Sequence, residues 1–108
     1  MQIRSAWLSK GRTYLSVRAA RKEAATGPIE AWDITPGQGP YATVLMTADS
    51  RILLSVPLGD DSRPQPYSPD EFVGRLMAES PSARPALGFD LSFDANGQVT
   101  RVQSLYTP

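Results

Sequence analysis

Histidine and cysteine are both missing from this 108-residue chain, and each absence closes off chemistry. Without cysteine there are no disulfides, no thiolate zinc sites and no thiol nucleophile. The redox compartment stays open, because a cysteine-free domain tolerates either state. Without histidine there is no Ser-His or Cys-His dyad, no imidazole metal ligand and no side chain that titrates near neutrality unperturbed. No apolar run approaches the roughly 20 residues of a membrane span. The opening Met-Gln-Ile-Arg-Ser-Ala-Trp also lacks the apolar centre of a signal peptide. The expectation is a soluble, cytoplasmic protein with no membrane partner. There is no internal repeat, no low-complexity tract and no Gly-x-Ser-x-Gly elbow. Nothing in the residue set requires an enzyme or a cofactor.

Carboxylates are scarce at one end only. The first 25 residues hold six cations, Arg4, Lys10, Arg12, Arg18, Arg21 and Lys22, against the single Glu23. The remaining 83 residues hold five cations and ten carboxylates, and the whole chain is neutral. A basic segment on an acidic body speaks of partners or of self-association.

At this length one domain is expected, able to bury roughly two-thirds of its unfolded surface. Ten prolines and eight glycines cut the chain into short elements. Ser68-Pro69-Asp70-Glu71 carries the marks of a helix start: an N-cap serine, proline at the first helical position and a capping-box glutamate. Tyr67 and Phe72 suit a hydrophobic staple. Phe72, Val73, Leu76 and Met77 fall on one face, and Ser80-Pro81 ends the run, which predicts a helix over about 69–79. Leu87, Phe89, Leu91 and Phe93 then alternate with polar or small residues. With Asn96-Gly97 as a two-residue turn, Leu91 falls opposite Val102 and Leu87 opposite Tyr106, giving a hairpin over about 86–106.

Tyr41 to Ala48 and Ile52 to Val56 read as a second, central hairpin turning at Asp49-Ser50. Ile29 to Ile34 reads as a strand stopped by Pro36, and 57–67 as an extended surface connection. Met1 to Ser9 and Thr13 to Ala19 read as a hairpin around Gly11. Beyond it, Arg18 to Ala25 consists of helix formers that Gly27 can cap, so a helical turn or loop is expected there. The fold class is α+β: a twisted, mainly antiparallel sheet of about five or six strands, a meander or partly closed roll, with one helix packed on it. A pure β-sandwich is the alternative if the helix packs at an edge.

The register of the first hairpin separates two functional readings. A three-residue loop Lys10-Gly11-Arg12 puts Ile3, Trp7, Leu15, Val17 and Ala19 on one face, with Trp7 in the core and the cations solvated. A two-residue loop Lys10-Gly11 pairs Trp7 with Tyr14 on the side of Arg12 and Arg18, an aromatic and cationic platform fit to stack bases and hold phosphates. The first register separates apolar from polar residues more cleanly and is the preferred one.

Other motifs read as local structure. Asp94-Ala95-Asn96-Gly97 resembles part of a calcium loop, but Ser92 and Gln103 stand where anionic ligands belong. Asp60-Asp61, Pro36-Gly37-Gln38-Gly39-Pro40 and Arg63-Pro64-Gln65-Pro66 are expected to be a solvated turn, a connecting loop and a docked segment, not a cation site, a phosphate loop and a free proline-rich ligand. Metal and catalytic residues are therefore expected to be absent.

Three functions compete. The first is a small non-enzymatic protein-interaction module, accessory, regulatory or inhibitor-like, with self-association through its basic and acidic surfaces as one version of it. Its interaction surface is Arg4, Lys10, Arg12, Tyr14, Arg18, Arg21 and Lys22. The second is a nucleic-acid-binding domain using the same basic hairpin. The third is a ligand-binding or enzymatic pocket between helix and sheet, lined by Phe72, Leu76, Phe89 and Leu91.

Overall fold

The first hairpin turns on two residues. Lys10 and Gly11 both take positive φ, 51° and 74°, the requirement of a type I′ turn whose twist suits the strands it joins. It connects β1 (Gln2–Ser9) to β2 (Arg12–Arg18) and pairs Ser9 with Arg12 and Trp7 with Tyr14. The preferred three-residue loop is therefore corrected to the shorter one. The physical reason lies further along β1, where the register shifts between Ile3 and Ser5. Arg4 is the extra residue, so Ile3 and Ala6 both reach the core while Trp7 turns outward, 37% exposed. The bulge supplies the apolar face that Trp7 was expected to provide.

The computed structural model describes residues 1–24, 32–35 and 39–105; for 21–24, 32, 33 and 35 it describes the backbone alone. The stretch expected to be helical after Ala19 holds instead β3 (Arg21–Ala24), antiparallel to β4 (Trp32–Thr35) in a separate two-stranded ribbon. Pairing with β4 overrides the helix propensity of these residues, which is only a weak prior against tertiary context. The Ile29–Ala31 part of the expected strand, the Gly27 cap and Pro36–Gln38 lie outside the described residues.

The expected central hairpin is one continuous strand, β5 (Ala42–Leu54). Asp49 and Ser50 do not reverse the chain. They sit within a register shift between Met46 and Arg51, a bulge that lets one strand serve two neighbours. Its first half pairs antiparallel with β2, and its second half pairs with the short β6 (Gln65–Pro66). Thus the Arg63–Pro66 segment docks against β5 as expected, while Leu58 and Gly59 inside the connection are buried.

Helix α1 (Pro69–Ala78) follows the sequence marks closely. Ser68 Oγ accepts the Glu71 N–H, and Glu71 Oε1 accepts the Ser68 N–H. Phe72 and Leu76 are fully buried, and Phe72 meets Phe89 edge to face at 6.3 Å. Met77, expected on the buried face, is exposed. A 3-10 turn over Arg84–Ala86 leads to β7 (Phe89–Phe93) and β8 (Val99–Ser104).

Leu91 stands opposite Val102 as the sequence predicts; Tyr106 is outside the described residues. The turn, however, is a residue longer than Asn96-Gly97. The Gly97 N–H donates to the Asp94 carbonyl and the Asp94 N–H to the Gln98 carbonyl, with only Gly97 of the turn at positive φ. A register shift between Ser92 and Phe93 absorbs the extra residue and leaves Phe93 exposed. Asp94 Oδ1 is occupied by the Asn96 and Gln98 N–H groups, a turn-stabilising role.

The long sheet runs β1-β2-β5-β8-β7, with β6 beside β5. Its β5–β8 pair is parallel, so the sheet is mixed and not the mainly antiparallel meander expected. Locally paired hairpins are legible in sequence, whereas β8 reaches β5 only after the chain has crossed over through α1. The sheet is not closed. Its outer strands meet at one point, where the Met1 amine donates to the Phe89 carbonyl (2.6 Å) and the Phe89 N–H to the Met1 carbonyl (2.9 Å). The core, from Ile3, Leu15 and Val17 through Met46, Ile52, Phe72 and Leu76 to Phe89 and Val102, lies on the side of the sheet that α1 covers.

Candidate nucleic-acid interface

The opposite side of β1, β2 and β5 is not covered by α1. Alternation along β2 sends Leu15 and Val17 to the core and Tyr14, Ser16 and Arg18 to the other side, where Tyr14 and Arg18 are half-buried and Ser16 is buried. Across the strands, register builds rows. Trp7 on β1, Tyr14 on β2 and Leu45 on β5 form one; Ser5, Ser16 and Thr43 form the next. Trp7 and Tyr14 are stacked, with ring centres 5.8 Å apart and planes within 9°. Trp7 stands on an outer strand, so no strand beyond β1 covers its far side.

Beyond the hydroxyl row lies a second aromatic station. Tyr41, just ahead of β5, carries the Arg18 guanidinium 4.5 Å and the Arg4 guanidinium 4.9 Å from its ring centre. Arg18 is further held by donating from Nε to Gln2 Oε1 (2.8 Å) and from Nη1 to the Gly39 carbonyl (3.3 Å). Tyr14 and Arg18 are four residues apart, so the two stations are separated by about 13 Å of strand. Lys10 and Arg12 are exposed at the turn end. Residues 1–18 and 39–46 contain no carboxylate at all.

The sequence-derived surface therefore divides. Arg4 and Arg18 come together at Tyr41, while Tyr14, Arg12 and Lys10 gather toward the turn. Arg21 and Lys22 lie on the β3–β4 ribbon, and their side chains are outside the described residues. Tyr41 and the exposed position of Trp7 are what the preferred reading missed. Counting from a Lys10-Gly11 turn finds Trp7, but Tyr41 needs the β2–β5 pairing, which leaves no local mark.

The remaining candidates resolve into structure. Asp60 makes two hydrogen bonds with Arg75, at 2.9 and 3.0 Å, and this guanidinium also lies 4.6 Å above the Tyr67 ring. The Arg75 hydrogen bond, with a smaller Coulombic contribution, outweighs desolvation and holds the Asp60 carboxyl below its ordinary value. Asp61 turns away to accept from Ser62 and Arg63. Phe72, Leu76 and Phe89, expected to line a pocket, are fully buried core. A cleft of about 210 Å3 lies elsewhere, between the first turn, the β5 bulge and the start of α1, lined by Leu8, Arg12, Met46, Thr47 and Asp70 among others. Among the described residues no group of three or more Asp or Glu could hold a metal ion, and no helix is long and apolar enough to cross a membrane.

Compared with protein-family models, with curated proteins and with solved structures, the chain matches none.

Proposed function

We propose that this chain is a non-enzymatic binding domain for single-stranded nucleic acid and that the outer face of β1, β2 and β5 is its interface. One observation carries the reading: Trp7, 37% exposed, stacks with Tyr14 on the sheet face away from α1, and the segments 1–18 and 39–46 that build this face carry cations and no carboxylate. Bases continue the Trp7–Tyr14 stack. Lys10 and Arg12 take phosphates near the turn, and Arg4 and Arg18 take them at Tyr41. The face offers aromatic rings to stack on and guanidiniums to hold phosphates.

Fluorescence anisotropy with single-stranded and duplex oligonucleotides tests the proposal. Four cations on the face predict a log–log salt slope of about −3 for a single strand, and Trp7→Ala should weaken binding about tenfold. Binding no tighter than about 10⁻⁴ M at low salt, or a Trp7→Ala variant equal to the parent, would refute it.

A second reading draws on Leu8, which is 46% exposed on the α1 side of β1, where it lines the cleft by the first turn. There the basic hairpin docks an acidic protein surface, including that of a second copy, as an accessory or regulatory module. Light scattering after size exclusion decides the self-association version. A monomer at both low and high salt removes it.

A further inference from the structure

Arg4 and Arg18 arrive at Tyr41 from different strands, and their like charges must be held together by something. The Tyr41 ring attracts both guanidiniums. Arg18 is braced by Gln2, which is anchored in turn by donating from Nε2 to the Pro85 carbonyl at 2.6 Å. Arg4 is turned to this face by the β1 bulge, and the carbonyl of Arg4 accepts from Arg84 Nη1 at 3.1 Å. None of these supports is a carboxylate. Among the described residues no carboxylate hydrogen-bonds or ion-pairs with either guanidinium. The result is two positive charges on fixed supports, with N–H donors to spare.

We propose that Arg4, Tyr41 and Arg18 form a subsite for a phosphate monoester, the phosphorylated end of a bound strand. An internal phosphodiester carries one negative charge, whereas a terminal monoester approaches two above its second pKa near 6 and matches the pair. Its three free oxygens also accept from two guanidiniums at once. The inference rests on the outer face being a nucleic-acid interface, but the end group it names is separate from strand binding.

The experiment compares one oligothymidylate carrying a 5′-phosphate, a 3′-phosphate or neither, with the fluorophore on the opposite end. One phosphorylated form should bind about fivefold tighter at about pH 7.5, the effect of one added charge near a surface pair. The gain should shrink below about pH 6. Arg4→Gln and Arg18→Gln should each abolish the gain; Tyr41→Phe should keep it and Tyr41→Leu lose it. Trp7→Ala should weaken all three strands alike. Equal binding of the three strands, or a gain surviving in the Arg4→Gln/Arg18→Gln double variant, overturns the subsite while leaving strand binding intact. If no strand binds, the interface reading fails, and inorganic phosphate then judges the subsite alone. The ¹⁵Nε signals of Arg4 and Arg18 should shift and saturate at about millimolar phosphate. If they stay still, the subsite is refuted.

Discussion

Replacing Arg84 tests how the helix end and the first strand are held together. Its side chain is nearly buried, 9% exposed, yet its partners are carbonyls from two parts of the chain. Nε donates to Leu76 (3.2 Å) and Glu79 (3.1 Å), Nη2 to Met77 (3.3 Å) and Nη1 to Arg4 (3.1 Å). Three of these carbonyls belong to the C-terminal end of α1, where partner N–H groups run out and a positive charge is favoured. In Arg84→Ala the Leu76 carbonyl keeps the Glu79 N–H, but the other three lose this donor. Hydrogen bonds to a charged group contribute about 1.5–3 kcal/mol each. Water entering the vacated space and relief of the buried charge offset much of that sum. A net loss of about 3 kcal/mol is expected. Arg84→Met keeps the packing of the stem but no donor and should lose about 2.5 kcal/mol; Arg84→Lys keeps the charge without the fork and should lose about 1.5 kcal/mol. Urea unfolding followed by far-ultraviolet circular dichroism, with unchanged m, measures all three. The reasoning is refuted if Ala and Met both fall within about 0.5 kcal/mol of the parent. A Lys variant equal to the parent would leave charge, not geometry, as the cause.

Two further outcomes follow from particular contacts. A Cβ on Gly59 would lie 2.5 Å from the Leu54 carbonyl oxygen, a backbone atom that cannot swing aside, whereas one on Gly74 in α1 meets nothing within 4 Å. Thermal or urea denaturation should therefore show Gly59→Ala destabilising by about 2 kcal/mol and Gly74→Ala stabilising by up to about 1 kcal/mol; matching signs would contradict the packing. Because the folded Asp60 carboxyl titrates below its ordinary value, its contribution is present above about pH 4 and is lost as pH falls through the lower folded value. Asp60→Asn should thus flatten the acid limb of stability against pH, and parallel curves for variant and parent would count against the Arg75 pairing.

What was legible in the sequence was local. Helix α1 announces itself because every signal, from the Ser68 cap to the buried Phe72 and Leu76, lies within a dozen residues. Leu91 finds Val102 because a short turn leaves few registers. The failures are equally physical. Lys10 takes positive φ without the Asn or Gly that usually marks such a turn. The Arg4 bulge changes which residues of β1 face inward without altering its composition. Asp49-Ser50 has the look of a turn, yet the chain runs straight on through a bulge. The parallel β5–β8 pair joins segments separated by the whole helical crossover, and no local pattern encodes it.

The first strand shows why the same misreading affected both core and candidate site. The Lys10-Gly11 turn sets Ala6 inward and Trp7 against Tyr14, and one inserted residue beyond them sends Ile3 inward and Arg4 toward Tyr41. Removing the bulge would slip the residues on one side of it to the other face, because side chains alternate with a period of two. Core packing therefore constrains the outer face. A one-residue deletion at Arg4 cannot keep both Ile3 and the Trp7–Tyr14 stack in place. The carbonyl that the bulge leaves out of the ladder is the one Arg84 holds from the helix side. Arg84 is thus a positioning residue for Arg4, acting through the backbone and touching nothing on the open face. Arg84→Lys should therefore reduce the preference for a phosphorylated strand end more than it reduces strand binding, since Trp7 and Tyr14 are fixed by the turn at the other end of the hairpin.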